Sequence, residues 1–173
     1  MIRRTSGQNL VLIGMPGVGK STVGVLLAKA TSRDFLDTDV LIQAREGRSL
    51  QQILDAEGRA AFVRLEERYL IGLETSGCVI ATGGSAVYSA GAMTHLAARG
   101  RIIYLRLPLE VLQERVTNLG ARGIVKEPQQ TLAEIFRERS PLYARWAQVT
   151  IDCLGRTPDQ VVDAILAACG ETA

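Results

Sequence analysis

Gly14-Met-Pro-Gly-Val-Gly19-Lys20-Ser21 is the stretch on which the reading of this chain turns. It matches G-x-x-x-x-G-K-[ST], the pattern of a phosphate-cradling loop. Its flanks supply the context the pattern needs. Asn9–Ile13 is a short apolar run that reads as a buried strand, and Lys20–Ala30 reads as a helix. Glycines let backbone N–H groups curl around a phosphate with no Cβ in the way. The start of the helix adds partial positive charge. Gly14, Gly17, Gly19, Lys20, Ser21 and Thr22 are therefore expected to hold a nucleoside triphosphate. Lys20 can reach the β- and γ-phosphates, and the Ser21 hydroxyl can ligate Mg²⁺.

Outward from the loop, short apolar runs alternate with helical periodicity. Strands are expected at Phe35–Asp37, Cys78–Ala81, Arg101–Leu105 and Gln148–Asp152. Helices are expected over 38–46, 50–57, 59–75, 89–98, 108–118, 131–147 and 158–169, with breaks at Gly47 and Gly58. Five strands separated by helices imply βαβ crossovers. The fold class is α/β: a five-stranded parallel sheet with helices on both faces, a three-layer sandwich forming one domain over 1–173. Ligands in such sheets sit at the C-terminal ends of the strands.

Composition narrows the function. The chain has 173 residues, 47% hydrophobic and 22% charged, ordinary for a globular protein. The net charge is +2, and the basic residues are spread along the chain rather than gathered in a stripe, so no nucleic-acid partner is expected. Lys20, Lys29 and Lys126 are the only lysines, so arginine is the default cation and any one arginine needs a positional argument. Cys78, Cys153 and Cys169 form no C-x-x-C pair and suit reduced thiols; the lone His95 has no metal-ligand partner nearby. The apolar run after the basic start is too short for a signal peptide, and no run suits a membrane span. A cytoplasmic protein with no membrane partner is expected, working as a monomer.

A guanine-reading N-K-x-D is absent from the sequence, and a motor or transporter would be larger. A small-molecule kinase is the economical reading. Phe35-Leu-Asp37-Thr-Asp39 ends a strand where the phosphates should lie. One carboxylate can serve Mg²⁺ and the other an acceptor hydroxyl; either can also cap the helix that follows.

The chain resembles the shikimate kinases, P-loop enzymes of the nucleoside-monophosphate-kinase-like fold. The resemblance rests on GMPGVGKST at 14–22, FLDTD at 35–39, Gly58, Phe62 and Glu66 in G-x-x-x-F-x-x-x-E, and ATGG at 81–84. It continues through Arg115 and Arg122, RSPLY at 139–143, and the segment ending at Pro158. It implies transfer of the γ-phosphate of ATP, with Mg²⁺, to a hydroxyl of shikimate. By this resemblance Asp37 is a partner of Mg²⁺ beside Ser21, and Asp39 binds the acceptor hydroxyls and can take the proton. Gly83 and Gly84 offer backbone N–H groups to the substrate, and Arg139 binds its carboxylate. Arg115, Arg156 and Pro158 flank adenine, and Arg122 is a catalytic arginine in a lid over about 119–130. The acceptor-binding segment spans about 38–75.

Two departures fall on the acceptor side. Val63 stands where most of the family has an arginine, and Ser85 where the family has a third glycine. Arg59, one helical turn before Val63, is placed to supply the missing guanidinium, while Arg64 should point elsewhere. These changes leave two alternatives beside shikimate: a smaller hydroxylated acid such as homoserine, or a non-catalytic nucleotide-binding regulator.

Overall fold

β1 (Asn9–Ile13) is buried along its whole length and occupies the centre of the sheet. Its one polar side chain, Asn9, accepts from the Cys78 amide at 3.0 Å and donates to the Thr75 carbonyl at 2.8 Å, so its burial costs little. The computed structural model describes residues 7–119, 124–127 and 129–171. The other strands are β2 (Asp34–Asp37), β3 (Cys78–Ala81), β4 (Gly100–Arg106) and β5 (Val149–Asp152), in the order β2-β3-β1-β4-β5. Every pairing is parallel.

The chain leaves β1 through α1 (Lys20–Thr31) for the edge strand β2. It returns through α2 (Thr38–Glu46) and α3 (Leu50–Ile71) to β3, then passes β1 by α4 (Ala90–Arg99) to β4. Helices α5 (Leu109–Leu119) and α6 (Leu132–Trp146) lead to β5, and α7 (Pro158–Cys169) follows it. Crossovers of this kind are right-handed, so reversing direction after β2 moves the helices to the other face. Accordingly α1 packs with α7, and α3 packs with α4. The reversal opens a crevice at the C-terminal ends of β1 and β3, where ligands of such sheets bind.

Two apolar centres support this frame. The larger spans the sheet and its helices; the smaller joins Ile42, Leu50, Ile53, Phe62, Leu65 and Val125 beneath α2 and α3. Phe62, read in the sequence as part of a motif, is fully buried in that smaller centre. Burying such a ring contributes roughly 1.5–3 kcal/mol.

Element order follows the sequence reading, with two differences. The expected break at Gly58 is present inside α3 as a kink, where the backbone leaves helical geometry (φ 78°, ψ 170°) and two helical segments meet. The helix stops at Ile71 instead of Thr75, because Gly72 caps it. A 3₁₀ turn at Ala86–Tyr88 has no counterpart in the periodicity. His95 bonds the Leu73 carbonyl and Arg99. All three cysteines are free. Among the described residues no helix is long and apolar enough to cross a membrane.

Candidate active site

The loop after β1 is shaped by contacts that exclude side chains. A Cβ on Gly14, at φ +147°, would lie 2.5 Å from the Leu105 carbonyl oxygen, so glycine is required there. Gly19 caps α1 in the left-handed region and contributes no side-chain acceptor, and the first turn carries no acidic residue. The leading N–H groups of α1 thus keep their partial positive charge for an anion. Lys20 folds back over the loop, donating to the carbonyls of Gly14 at 2.8 Å and Met15 at 3.0 Å. Burial lowers its pKa to about 8; Asp39 opposes the shift and the Arg139 charge adds to it.

Asp37 closes β2 and opens α2. Its Oδ1 accepts from the amides of Asp39 at 3.0 Å and Val40 at 3.3 Å, while Oδ2 accepts from the Ser21 hydroxyl at 2.6 Å. The helix cap and the link to the phosphate loop therefore coexist in one carboxylate. Asp39, in the first turn of α2, has its carboxyl pushed up to about 6 by burial, against the pull of Lys20.

The turn after β3 is pinned from several directions. The Thr82 amide and hydroxyl both donate to the Leu12 carbonyl, at 3.1 and 2.9 Å, holding the turn beside the end of β1. The Gly83 amide donates to Thr38 Oγ1 at 3.0 Å, and the Gly84 carbonyl accepts from the Tyr143 hydroxyl at 2.6 Å. Ser85 Oγ donates to Glu66 Oε2 at 2.6 Å. A Cβ on Gly83 would sit 2.5 Å from Glu66 Oε1 and 2.7 Å from Asp39 Oδ1, so both carboxyls border this glycine. A Cβ on Gly84 would meet Arg139 Nη1 and Pro16 Cδ, each at 3.0 Å, which shows how closely the two loops approach.

Arg139 is fully buried on α6. Its Nε donates to the Tyr88 hydroxyl at 2.9 Å and its Nη2 to the Val125 carbonyl. Glu66 is 1% exposed, and burial raises its carboxyl to about 7, with the Asp39 charge adding and Ser85, Arg139 and Lys20 opposing.

These elements enclose a cleft of about 530 Å³. Gly17, Gly19, Lys20, Ser21 and Thr22 line one side of it, and Asp39, Gly83, Gly84, Ser85 and Arg139 line the other, with Arg115 also at the wall. Arg115 donates to the carbonyls of Gly17 and Val18, both at 3.4 Å. Gly14 and Asp37 stand behind the wall and act on Lys20 and Ser21. Pro16, Leu50, Thr82, Ile124 and Val125 complete the lining and were not singled out in the sequence. Pro16 lies inside the loop motif, Thr82 inside ATGG, and Ile124 and Val125 inside the expected lid segment, so these could have been; Leu50 carries no local signal.

Some expected residues do not line the cleft. Arg59 is drawn away by Glu127 at 3.1 Å and Glu138 at 2.9 Å, and its guanidinium lies 4.7 Å from the Tyr88 ring centre. Val63 packs instead against the smaller apolar centre, as do Leu54 and Tyr69. Arg64 is exposed. Arg156 and Pro158 are exposed at the start of α7, where Pro158 suits the first helical position. Arg122 lies outside the described residues.

Residues 16–170 match the family model described as shikimate kinase. The chain belongs to the shikimate kinase family. The shikimate kinase of Thiobacillus denitrificans is 44% identical over 147 residues, covering 83% of this chain and 80% of that relative. That of Pseudomonas savastanoi is 38% identical over 167 residues, covering 95% and 97%. A solved shikimate kinase from Acinetobacter baumannii in complex with shikimate superposes with a TM-score of 0.86 at 32% identity, covering 93% of this chain and 92% of that one. As in other shikimate kinases, the fold is that of a P-loop kinase.

Proposed function

We propose that this shikimate kinase family member transfers the γ-phosphoryl group of ATP to a hydroxyl of shikimate. The observation that carries the reading is the convergence of Lys20, Asp39 and Arg139 on one cleft. A phosphate-binding loop faces a buried carboxyl and a buried guanidinium, which suit a ligand bearing both a hydroxyl and a carboxylate. Relatives at 36–44% identity are shikimate kinases, which favours shikimate over homoserine. Lys20 and Asp39 standing together in the cleft disfavour a non-catalytic regulator.

Phosphoryl transfer is governed by positioning and by cations that offset spreading negative charge. The α1 amides and Lys20 hold the phosphates on this reading, and Arg139 orients the acceptor through its carboxylate. Asp39 receives the proton of the attacking hydroxyl. The donor set of the Ser21 hydroxyl and Asp37 carboxylate fits Mg²⁺, a hard cation commonly held by one or two carboxylates together with substrate phosphates. Magnesium bound there would supply electrostatic neutralisation of the transferring phosphate. Arg115, Arg156 and Pro158 would flank adenine, and Arg122 would reach the phosphates from a lid over about 119–130. Residues 38–75 would form the acceptor-binding segment. We take the protein to be a cytoplasmic monomer.

The test is acceptor-dependent ADP release across shikimate, homoserine and related hydroxy acids. Release with shikimate at a kcat/KM at least about a hundredfold above homoserine is expected. Brisk turnover of homoserine beside negligible turnover of shikimate would overturn the acceptor. ATP binding with no acceptor-dependent release would favour the regulator.

A further inference from the structure

Glu66 presents a problem that the reaction does not by itself explain. It is a carboxyl with 1% exposure, and its Oε1 is buried with no hydrogen-bond partner among the described residues. Uncompensated buried carboxyls are costly, so what holds this one matters. The neighbours three and four residues from Glu66 along α3 are Phe62, Val63, Tyr69 and Leu70, none of them a cation, and Val63, where most of the family has an arginine, packs against the smaller apolar centre. The hydrogen bond comes instead from outside the helix. Ser85 Oγ donates to Glu66 Oε2 at 2.6 Å.

Ser85 is well connected at its other end. Its carbonyl accepts from the Tyr88 amide at 2.9 Å and so starts the 3₁₀ turn Ala86–Tyr88. The Tyr88 hydroxyl accepts from Arg139 Nε at 2.9 Å, and the Arg139 guanidinium carbon lies 5.0 Å from the Tyr88 ring centre. One residue before Ser85, the Gly84 carbonyl is held by Tyr143, from the same helix as Arg139. One before that, Gly83 borders both Glu66 Oε1 and Asp39 Oδ1. A single hydroxyl thus joins the buried carboxyl of α3 to the turn that carries Gly83, Gly84 and the partner of Arg139.

We propose that Ser85 is a positioning residue of the acceptor site, holding the buried Glu66 carboxyl so that the glycine turn, Asp39 and Arg139 keep their mutual geometry, in place of a cation at position 63. The proposal rests on the acceptor reading above, since the groups it positions are those assigned to the acceptor.

The experiment measures KM for shikimate, KM for ATP and kcat in wild type, Ser85→Ala, Val63→Arg and the double variant, with thermal unfolding of each. Ser85→Ala should raise KM for shikimate by about tenfold while leaving KM for ATP within about twofold. In the Val63→Arg background the same substitution should cost less than about threefold, because a guanidinium on the neighbouring turn then serves Glu66. Glu66→Gln, which keeps an acceptor for the Ser85 hydroxyl, should change KM for shikimate less than Ser85→Ala does. Unchanged KM for shikimate in Ser85→Ala would overturn the proposal, as would equal rises in both KM values. Equal costs of Ser85→Ala in the two backgrounds would overturn the substitution for a cation at 63. Failure of the wild type itself to use shikimate would instead remove the acceptor reading, so the two failures are told apart by the wild-type assay.

Discussion

The two sides of the cleft are made differently. On the phosphate side, residues 14–22 form one continuous stretch whose work is done largely by backbone. Gly14 admits a neighbouring carbonyl, Gly19 starts α1 without a side-chain cap, and Lys20 is held by carbonyls of its own loop. On the acceptor side, Asp39 comes from α2, Glu66 from α3, Ser85 and Tyr88 from the segment after β3, and Arg139 from α6. Side chains far apart in sequence meet there, and each depends on the others. A site of the first kind tolerates change elsewhere in the fold. A site of the second kind can be retuned by a substitution that never touches the ligand.

That contrast can be broken or sharpened by mutation. The largest effect is expected on the phosphate side. Lys20→Met removes a charge-assisted donor and should lower kcat/KM by about 10³-fold. Steady-state assay checks it, and a loss of less than about threefold would mean that the loop does not bind the transferring phosphate. Asp39→Asn comes next, with a fall in kcat of about 10²-fold and KM for ATP nearly unchanged. Weakened ATP binding with normal kcat would instead move Asp39 to the phosphate side.

The same carboxyl predicts a pH dependence. Its pKa is raised to about 6, so the anion that accepts a proton predominates above that pH and is lost below it. In wild type, kcat/KM should fall by about tenfold per unit as pH drops below 6. A profile measured on Asp39→Asn should lack that limb. The smallest of these effects concerns Val63. Adding one guanidinium–carboxylate contact is worth roughly 1.5–3 kcal/mol, so Val63→Arg should lower KM for shikimate by at least about tenfold. No gain would show that another residue already supplies the contact.

The same contrast explains what could be read in advance. The strands, the loop motif and the parallel sheet followed from local patterns, because apolar runs, glycines and caps act within a few residues. Asp37 was readable as a helix cap, and it is one; its bond to the Ser21 hydroxyl appears only once β2 and the phosphate loop are side by side. Arg59 was not placed correctly by helical spacing alone. Spacing gave its face on α3 but could not show that Glu127 and Glu138, distant in sequence, would draw its guanidinium away. Tyr88 gave no signal at all, since a three-residue 3₁₀ turn has no period to detect. Glu66 was visible as part of a motif, yet its unpartnered oxygen and its bond to Ser85 exist only once α3 and the turn after β3 are side by side.

Asp37 also acts as a gauge. One oxygen fixes the start of α2 and the other touches Ser21, so the spacing between the phosphate loop and the helix is set by the length of a single side chain. Asp39 rides on the same helical turn and inherits that spacing. Lengthening position 37 by one methylene, with every charge conserved, would change the separation of the two ends of the reaction rather than the strength of either.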